Sequence, residues 1–277
     1  MKNVWKILGI IVLTLAIVSC GAKKNEGSLE SIKAKGVIRI GVFSDKAPFG
    51  YVDSNGKNQG FDVVIAKRFA KDLFGDETKV EFVLVEAANR VEYLETNKVD
   101  IILANFTVTP ERKERVDFAN PYMKVALGIV SPDGSIIKSV DELKGKKLIV
   151  NKGTTAETYF TKNFPNIELL SFDQNSEAFA ALKDGRGAAL AHDNTLLFAW
   201  SKENKGFTTG VTSLGDIDTI APAVKKGNVE LLNWINEELV KLGNEKFIHK
   251  AYDETLKPIY GDSIDPESVV VEGGKLK

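Results

Sequence analysis

"VDIILANFTVTPERKERVDF", residues 99–118, passes from an apolar strand into a helix start, and its polar residues set the reading of the whole chain. Residues 99–105 read as a strand. Thr109 suits a helix N-cap and Pro110 the first helical position. The helix dipole favours Glu111 in that first turn, but Arg112 puts a cation at the positive end, at a cost of a few tenths to about 1 kcal/mol. Such a placement makes sense if an anion comes to meet it. In open α/β sheets ligands sit beyond the carboxyl ends of strands. Asn105, Thr107 and Arg112 can therefore face one crevice, where a guanidinium fork, a hydroxyl and backbone amides would receive a carboxylate. A solvated surface arginine is the plain alternative.

Strand-like and helix-like pieces alternate outward from that stretch. Residues 37–43 and 79–86 read as strands. Residues 50–60, with Asn55-Gly56 and Gly60, read as a hairpin or loop. Phe61, Ile65, Phe69 and Leu73 fall at four-residue spacing on a helix that Gly75 ends, and residues 89–98 form a shorter helix. The pattern repeats at 123–204, with strands at 123–131, 166–172 and 187–193 and helices at 176–185 and 194–204. Ser139 with Glu142 and Thr154 with Glu157 both have capping-box spacing. The tail at 228–256 is helical. Alternating strands and helices imply two α/β units with mainly parallel sheets, and two such units set close together leave a cleft for a small ligand.

Composition narrows the function. A net charge of −1 with 27% charged residues argues against a nucleic-acid partner. With 31 Lys and only 6 Arg, each arginine calls for an explanation, because its planar fork has no lysine equivalent. Two lysines within residues 1–6, an apolar run at 7–18 and Ser19-Cys20-Gly21 read as a signal peptide over 1–19. "AIVSCGAKKNEGS" resembles a bacterial lipobox, which implies cleavage before Cys20, a lipid such as palmitate on that residue, and a polar tether over 20–28. An ordinary signal peptide with an incidental cysteine is the alternative.

The second unit carries candidates of its own. Thr154 and Thr155 open a helix after a glycine turn and suit an anion or a polar group, though a plain capped helix reads equally well; the phosphate-loop spacing is absent. Asp193 ends a strand, where it either pairs with an ammonium group or caps the next helix. An anion site facing a cation site suggests a zwitterion. His192 and His249 lie far apart with no cysteine nearby, so no metal is expected. No nucleophile elbow is present, and no cofactor is implied.

The stretches "GVFSDKAPFGYVDSNGKNQGFDVVIAKRFA", "VDIILANFTVTPERKERVDFANPYM", "LIVNKGTTAETYF" and "AALAHDNTLLFAW" resemble the extracytoplasmic amino-acid-binding proteins of ABC importers, and most of all their cysteine-binding lipoproteins. The resemblance implies an α/β, two-lobed type II periplasmic-binding-protein fold: each lobe a mainly parallel sheet flanked by helices, with two crossover strands at the hinge. It places lobe 1 at 29–125 and 219–277, lobe 2 at 126–218, and the crossings near 124–128 and 218–221. It implies that Arg112 clamps an α-carboxylate, that Thr107, Thr155 and backbone groups of Asn105 and Thr154 assist, and that Asp193 takes the α-ammonium. Arg90 matches a position that meets the ligand side chain in relatives selecting acidic residues. Lys46 replaces an aromatic platform, which disfavours large or dibasic ligands; Phe106 is expected as an apolar wall, His192 as a lining hydrogen bonder and Phe49 as core.

The expectation is therefore a monomeric, membrane-anchored lipoprotein, exported to the periplasmic or cell-surface side, that is not an enzyme and delivers a small polar L-amino acid, cysteine first, to permease subunits. Aspartate or glutamate is the alternative ligand. A dehydratase-like enzyme on the same scaffold, a sensory module and a surface antigen with a vestigial cleft are the alternative classes.

Overall fold

A computed structural model describes residues 27–276. The signal peptide at 1–19, Cys20 and the tether up to residue 26 lie outside the described residues. Two five-stranded sheets, each flanked by helices, form two lobes of the type II periplasmic-binding fold. In the first sheet Val80–Leu84, Ile38–Val42 and Ile101–Ile102 run parallel, and Ala223–Lys225 joins antiparallel between Ile101–Ile102 and Val116–Phe118. In the second, Glu168–Phe172, Lys147–Asn151 and Ala189–Asp193 run parallel, and the long strands Met123–Pro132 and Phe207–Ile220 add antiparallel. A small three-stranded sheet, Asp45–Lys46, Gly50–Val52 and Asn58–Gln59, projects from the first lobe.

Local chemistry explains most elements. The helix Phe61–Phe74 buries Phe61, Ile65 and Phe69, and Gly75 ends it in the left-handed conformation at φ 76°. Thr109 caps Pro110–Arg115, accepting from the Arg112 amide. Three local expectations are corrected. Ser139 and Glu142 form no capping box: residues Val140–Leu143 make only a 3₁₀ turn, and the Glu142 carboxylate accepts from the Lys138 amide instead. The strand expected over 99–105 pairs only at Ile101–Ile102, because Asn105 adopts a left-handed φ of 46° and turns the chain out of the sheet. The helical tail breaks in two, Val229–Asn244 and Phe247–Thr255, at Lys246, whose φ is 51°.

Chain crossings between the lobes run through the two long strands, which pair from Met123 opposite Ile220 to Pro132 opposite Phe207. Three register shifts interrupt that ladder between Thr209 and Asp218, and such irregularities add local bend and twist. The C-terminal segment joins at the same level, where the Val271 amide donates to the Tyr122 carbonyl at 2.9 Å. The turn after Ile101–Ile102, at Asn105, and the strand end His192–Asp193 face one cavity from opposite lobes.

Candidate functional site

One small cavity between the lobes is lined by Phe43, Lys46, Ala87, Arg90, Asn105, Thr107, Arg112, Thr154, Thr155, His192 and Asp193. The structure brings together every predicted site residue except Phe106. That ring is buried behind the cavity and carries two guanidiniums on its faces, Arg90 at 4.3 Å and Arg112 at 4.7 Å from the centroid. It therefore orients the cations rather than forming the wall expected of it. Phe43, which the sequence reading passed over, lines the cavity and lies 5.2 Å from the Lys46 ammonium. Room for water centres amounts to about 10 Å³, about one water molecule. A second, open cavity of about 480 Å³ shares Arg112 and Thr155 with it and leads outward past Tyr159 and Leu214.

At one end two lobes meet through charge. Lys46 Nζ donates to Asp193 Oδ2 at 2.9 Å and to Asn105 Oδ1 at 2.6 Å, with Lys46 only 2% and Asp193 4% exposed. Asp193 occupies the N-cap position of the helix Asn194–Glu203 yet makes no capping bond, so of its two sequence readings the local cap is not formed. Burial alone would raise the Asp193 carboxyl, but the Lys46 ammonium and then His192 draw it well below the usual range. Burial also lowers the Lys46 ammonium, with Asp193 opposing. Asp193 Oδ1 accepts no hydrogen bond among the described residues. His192 is held neutral mainly by burial, and its Nδ1 accepts from the Asp193 amide at 2.7 Å.

Two further cations line the cavity without an ion-pair partner. Arg90 donates to the carbonyls of Ala87, Ala104, Asn105 and Gly153. Arg112 donates to the carbonyls of Thr107 at 2.7 Å and Gly153 at 2.9 Å. Neither guanidinium meets a carboxylate within 4.0 Å among the described residues. Burial lowers both, Arg112 to about 10, and the proximity of Arg112 lowers Arg90 further. Carbonyl dipoles satisfy the N–H groups and Asp193 opposes the effect of burial from a distance, but with three cations to one carboxylate the cavity keeps an excess of positive charge that attracts an anion. Thr154 caps the helix Thr155–Asn163, accepting from the Glu157 amide, while Glu157 reaches back to the Gly153 amide at 2.8 Å. Among the described residues no group of His, Cys, Asp and Glu side chains is arranged to hold a metal ion.

Behind the cavity lies a carboxylate absent from the sequence reading. Asp62, fully buried, accepts from the Tyr122 hydroxyl at 2.7 Å and from the Asn105 amide at 2.8 Å, fixing the left-handed turn that aims Asn105 at Lys46. Burial pushes its carboxyl up to about 7 against those hydrogen bonds and Lys46.

Residues 38–257 match the bacterial extracellular solute-binding proteins, family 3. The chain belongs to this family. As a family-3 solute-binding protein it is 34% identical over 269 residues to the glutamine-binding protein of an ABC transporter from Bacillus subtilis (strain 168), covering 93% of this chain and 98% of that relative. The solved L-cysteine receptor of Neisseria gonorrhoeae is 61% identical with a TM-score of 0.87, over 88% of this chain and 100% of that one. The cysteine-binding protein of Campylobacter jejuni is 63% identical with a TM-score of 0.87, over 88% and 98%.

Two outcomes follow from this geometry. Gly153 has a φ of 71°, and a Cβ there would fall 2.5 Å from Ala88 Cα and 2.8 Å from Ala88 N in the facing lobe. Gly153→Ala should hold the lobes apart, so small-angle scattering should give a larger radius of gyration than wild type, with stability lowered by about 1–2 kcal/mol because alanine disfavours that left-handed φ. An unchanged radius would mean that the close approach tolerates a side chain. The second concerns Asp62. Its folded value lies above the unfolded one, so between about pH 4 and 7 the fold keeps a proton that the unfolded chain has lost. Its contribution to stability is complete below about pH 4 and is lost as pH rises through 7. Chemical denaturation should show the stability difference between wild type and Asp62→Asn shifting against wild type by about 2–4 kcal/mol from pH 4 to pH 8, at about 1.4 kcal/mol per pH unit. Glu238, also raised to about 7, is common to both proteins and cancels.

Proposed function

We propose that this chain captures a free L-amino acid, cysteine before others, and hands it to the permease of an ABC importer without transforming it. The observation that carries the reading is an interlobe cavity with three cations and one carboxylate, in which Arg90 and Arg112 meet carbonyls but form no ion pair and Asp193 keeps one oxygen beside the one held by Lys46. A zwitterion supplies a carboxylate to the first and an ammonium to the second. Its α-carboxylate goes to Arg112, and the Thr107 and Thr155 hydroxyls with backbone groups of Asn105 and Thr154 assist at the carboxylate and the amine; the Asn105 amide is already given to Asp62, so Asn105 can offer only its carbonyl, to the amine. Its α-ammonium goes to Asp193 Oδ1, leaving Oδ2 on Lys46.

The choice of cysteine is supported by Lys46 where a stacking ring would otherwise stand, and by 61% and 63% identity to proteins described as binding cysteine. Aspartate or glutamate fits less well, since the Arg90 fork is already engaged by four carbonyls. A non-catalytic role is supported by the protonation states: the one carboxyl near 7 close to the cavity, Asp62, does not line it, and general acid–base catalysis needs contact with the reacting atoms. The lobes are assigned to 29–125 with 219–277 and to 126–218, and a ligand enters when they part at the paired strands. The chain acts as a monomer tethered through a lipid on Cys20.

Calorimetric titration tests the ligand. Reduced cysteine should bind at least about tenfold more tightly than aspartate or glutamate, a gap of about 1.4 kcal/mol. Arg112→Ala should cost about 2–5 kcal/mol of binding, about 30- to 4000-fold, with folding intact. The reverse ligand order, or near wild-type affinity in Arg112→Ala, would overturn the assignment. For the anchor, the full-length protein expressed in a bacterium should partition into the detergent phase and Cys20→Ser should not; a wild type that stays in the aqueous phase would refute the lipid.

A further inference from the structure

Asp45 stands outside the cavity and next to Lys46 in the short strand Asp45–Lys46 of the first lobe. Its carboxylate crosses to the second lobe. Asp45 Oδ1 accepts from Asn175 Nδ2 at 2.9 Å, and Oδ2 accepts from the Ser176 amide at 3.0 Å and the Ser176 hydroxyl at 3.2 Å. These groups form the first turn of the helix Asn175–Lys183, whose own N-cap residue, Gln174, makes no side-chain capping bond. An N-cap oxygen normally comes from the residue just before the helix and satisfies an amide of its first turn. Here the oxygen arrives from the other lobe, 130 residues away in sequence.

From this contact we infer that Asp45 is an interlobe latch, a residue that sets ligand affinity and release without touching the ligand. The inference rests on the reading of the cleft as an amino-acid site. The three hydrogen bonds exist only while the lobes are together. They therefore add to the closed form alone, and a ligand held by both lobes gains by whatever shifts the lobes toward closure. The positive end of the helix dipole adds to the attraction. Adjacent strand residues point to opposite faces, so the same dipeptide grips the second lobe twice: Lys46 inward on Asp193, Asp45 outward on the helix. Only Lys46 lies within reach of a ligand, so Asp45 changes affinity for every amino acid by one common factor.

Two readouts test the latch. In the ligand-free protein, paired nitroxide labels on exposed positions of the two lobes should show a longer mean interlobe distance in Asp45→Asn than in wild type. In stopped-flow and calorimetric titration with L-cysteine and L-aspartate, Asp45→Asn should bind roughly three- to thirtyfold more weakly, about 0.7–2 kcal/mol at 1.4 kcal/mol per tenfold. Dissociation should be faster, the association rate nearly unchanged, and the ratio of the two affinities preserved. A purely structural cap is separated by Asp45→Ala combined with Gln174→Asp, which gives the helix a cap from its own lobe. That variant should recover thermal stability and not affinity. Recovery of affinity as well, an unchanged label distance, or a changed ligand ratio would overturn the latch. A wild type that binds neither amino acid would instead overturn the reading of the cleft, and the label distances would still decide on the latch.

Discussion

The buried ion pair between Lys46 and Asp193 is the interaction around which the two lobes are organised. Removing two charges from water is expensive, and only close geometry with further hydrogen bonds recovers the cost. The 2.9 Å contact is backed by Asn105, whose carboxamide takes a second Lys46 proton at 2.6 Å. Asn105 in turn is held in its left-handed turn by Asp62, and Asp62 by Tyr122. Losing either partner would strand a charge in a site with room for about one water, so the pair acts as a single unit spanning the cleft.

The charge balance of the cavity explains its chemistry. Three cations, Lys46, Arg90 and Arg112, line it with one carboxylate, Asp193. Carbonyls and the Phe106 ring hold the guanidiniums in place and leave their charge uncompensated. In the proposed binding mode a zwitterion would leave the net charge of the site unchanged and would set a negative group among the cations and a positive group on the free oxygen of Asp193. Position, more than total charge, then distinguishes an amino acid from an ordinary anion.

Closure draws both on groups that line the cavity and on one that stands outside it. Arg112 and Arg90 reach the Gly153 carbonyl from the facing lobe, and Gly153 comes so near Ala88 that a Cβ would not fit. Asp45 ties the lobes together farther out. All of these contacts break if the paired strands Met123–Pro132 and Phe207–Ile220 let the lobes rotate, so a small movement at the hinge switches many bonds at once.

Much of this was legible in the sequence. The helix opened by Thr109 and Pro110, the anomalous Arg112 in its first turn, the α/β alternation and the strand-end carboxylate at 193 follow from local rules of capping, dipole and periodicity, which act within a few residues. Local rules misjudged the Ser139 turn, where Glu142 took the Lys138 amide instead of closing a capping box, and the strand at Ile101–Ile102 and the helical tail, where the left-handed residues Asn105 and Lys246 turn the chain. What the sequence by itself determined was which residues would stand at strand ends and helix starts facing a cleft. Only the tertiary structure decided which of them meet: that Lys46 takes Asp193, that Asp62 lies behind Asn105, that Phe106 backs the arginines and that Asp45 caps a helix of the other lobe. Phe106 lies only 6 and 16 positions from its two arginines, but the other partners are 43 to 147 positions apart, and pairing across such separations depends on how the chain packs, for which spacing along the sequence carries no signal.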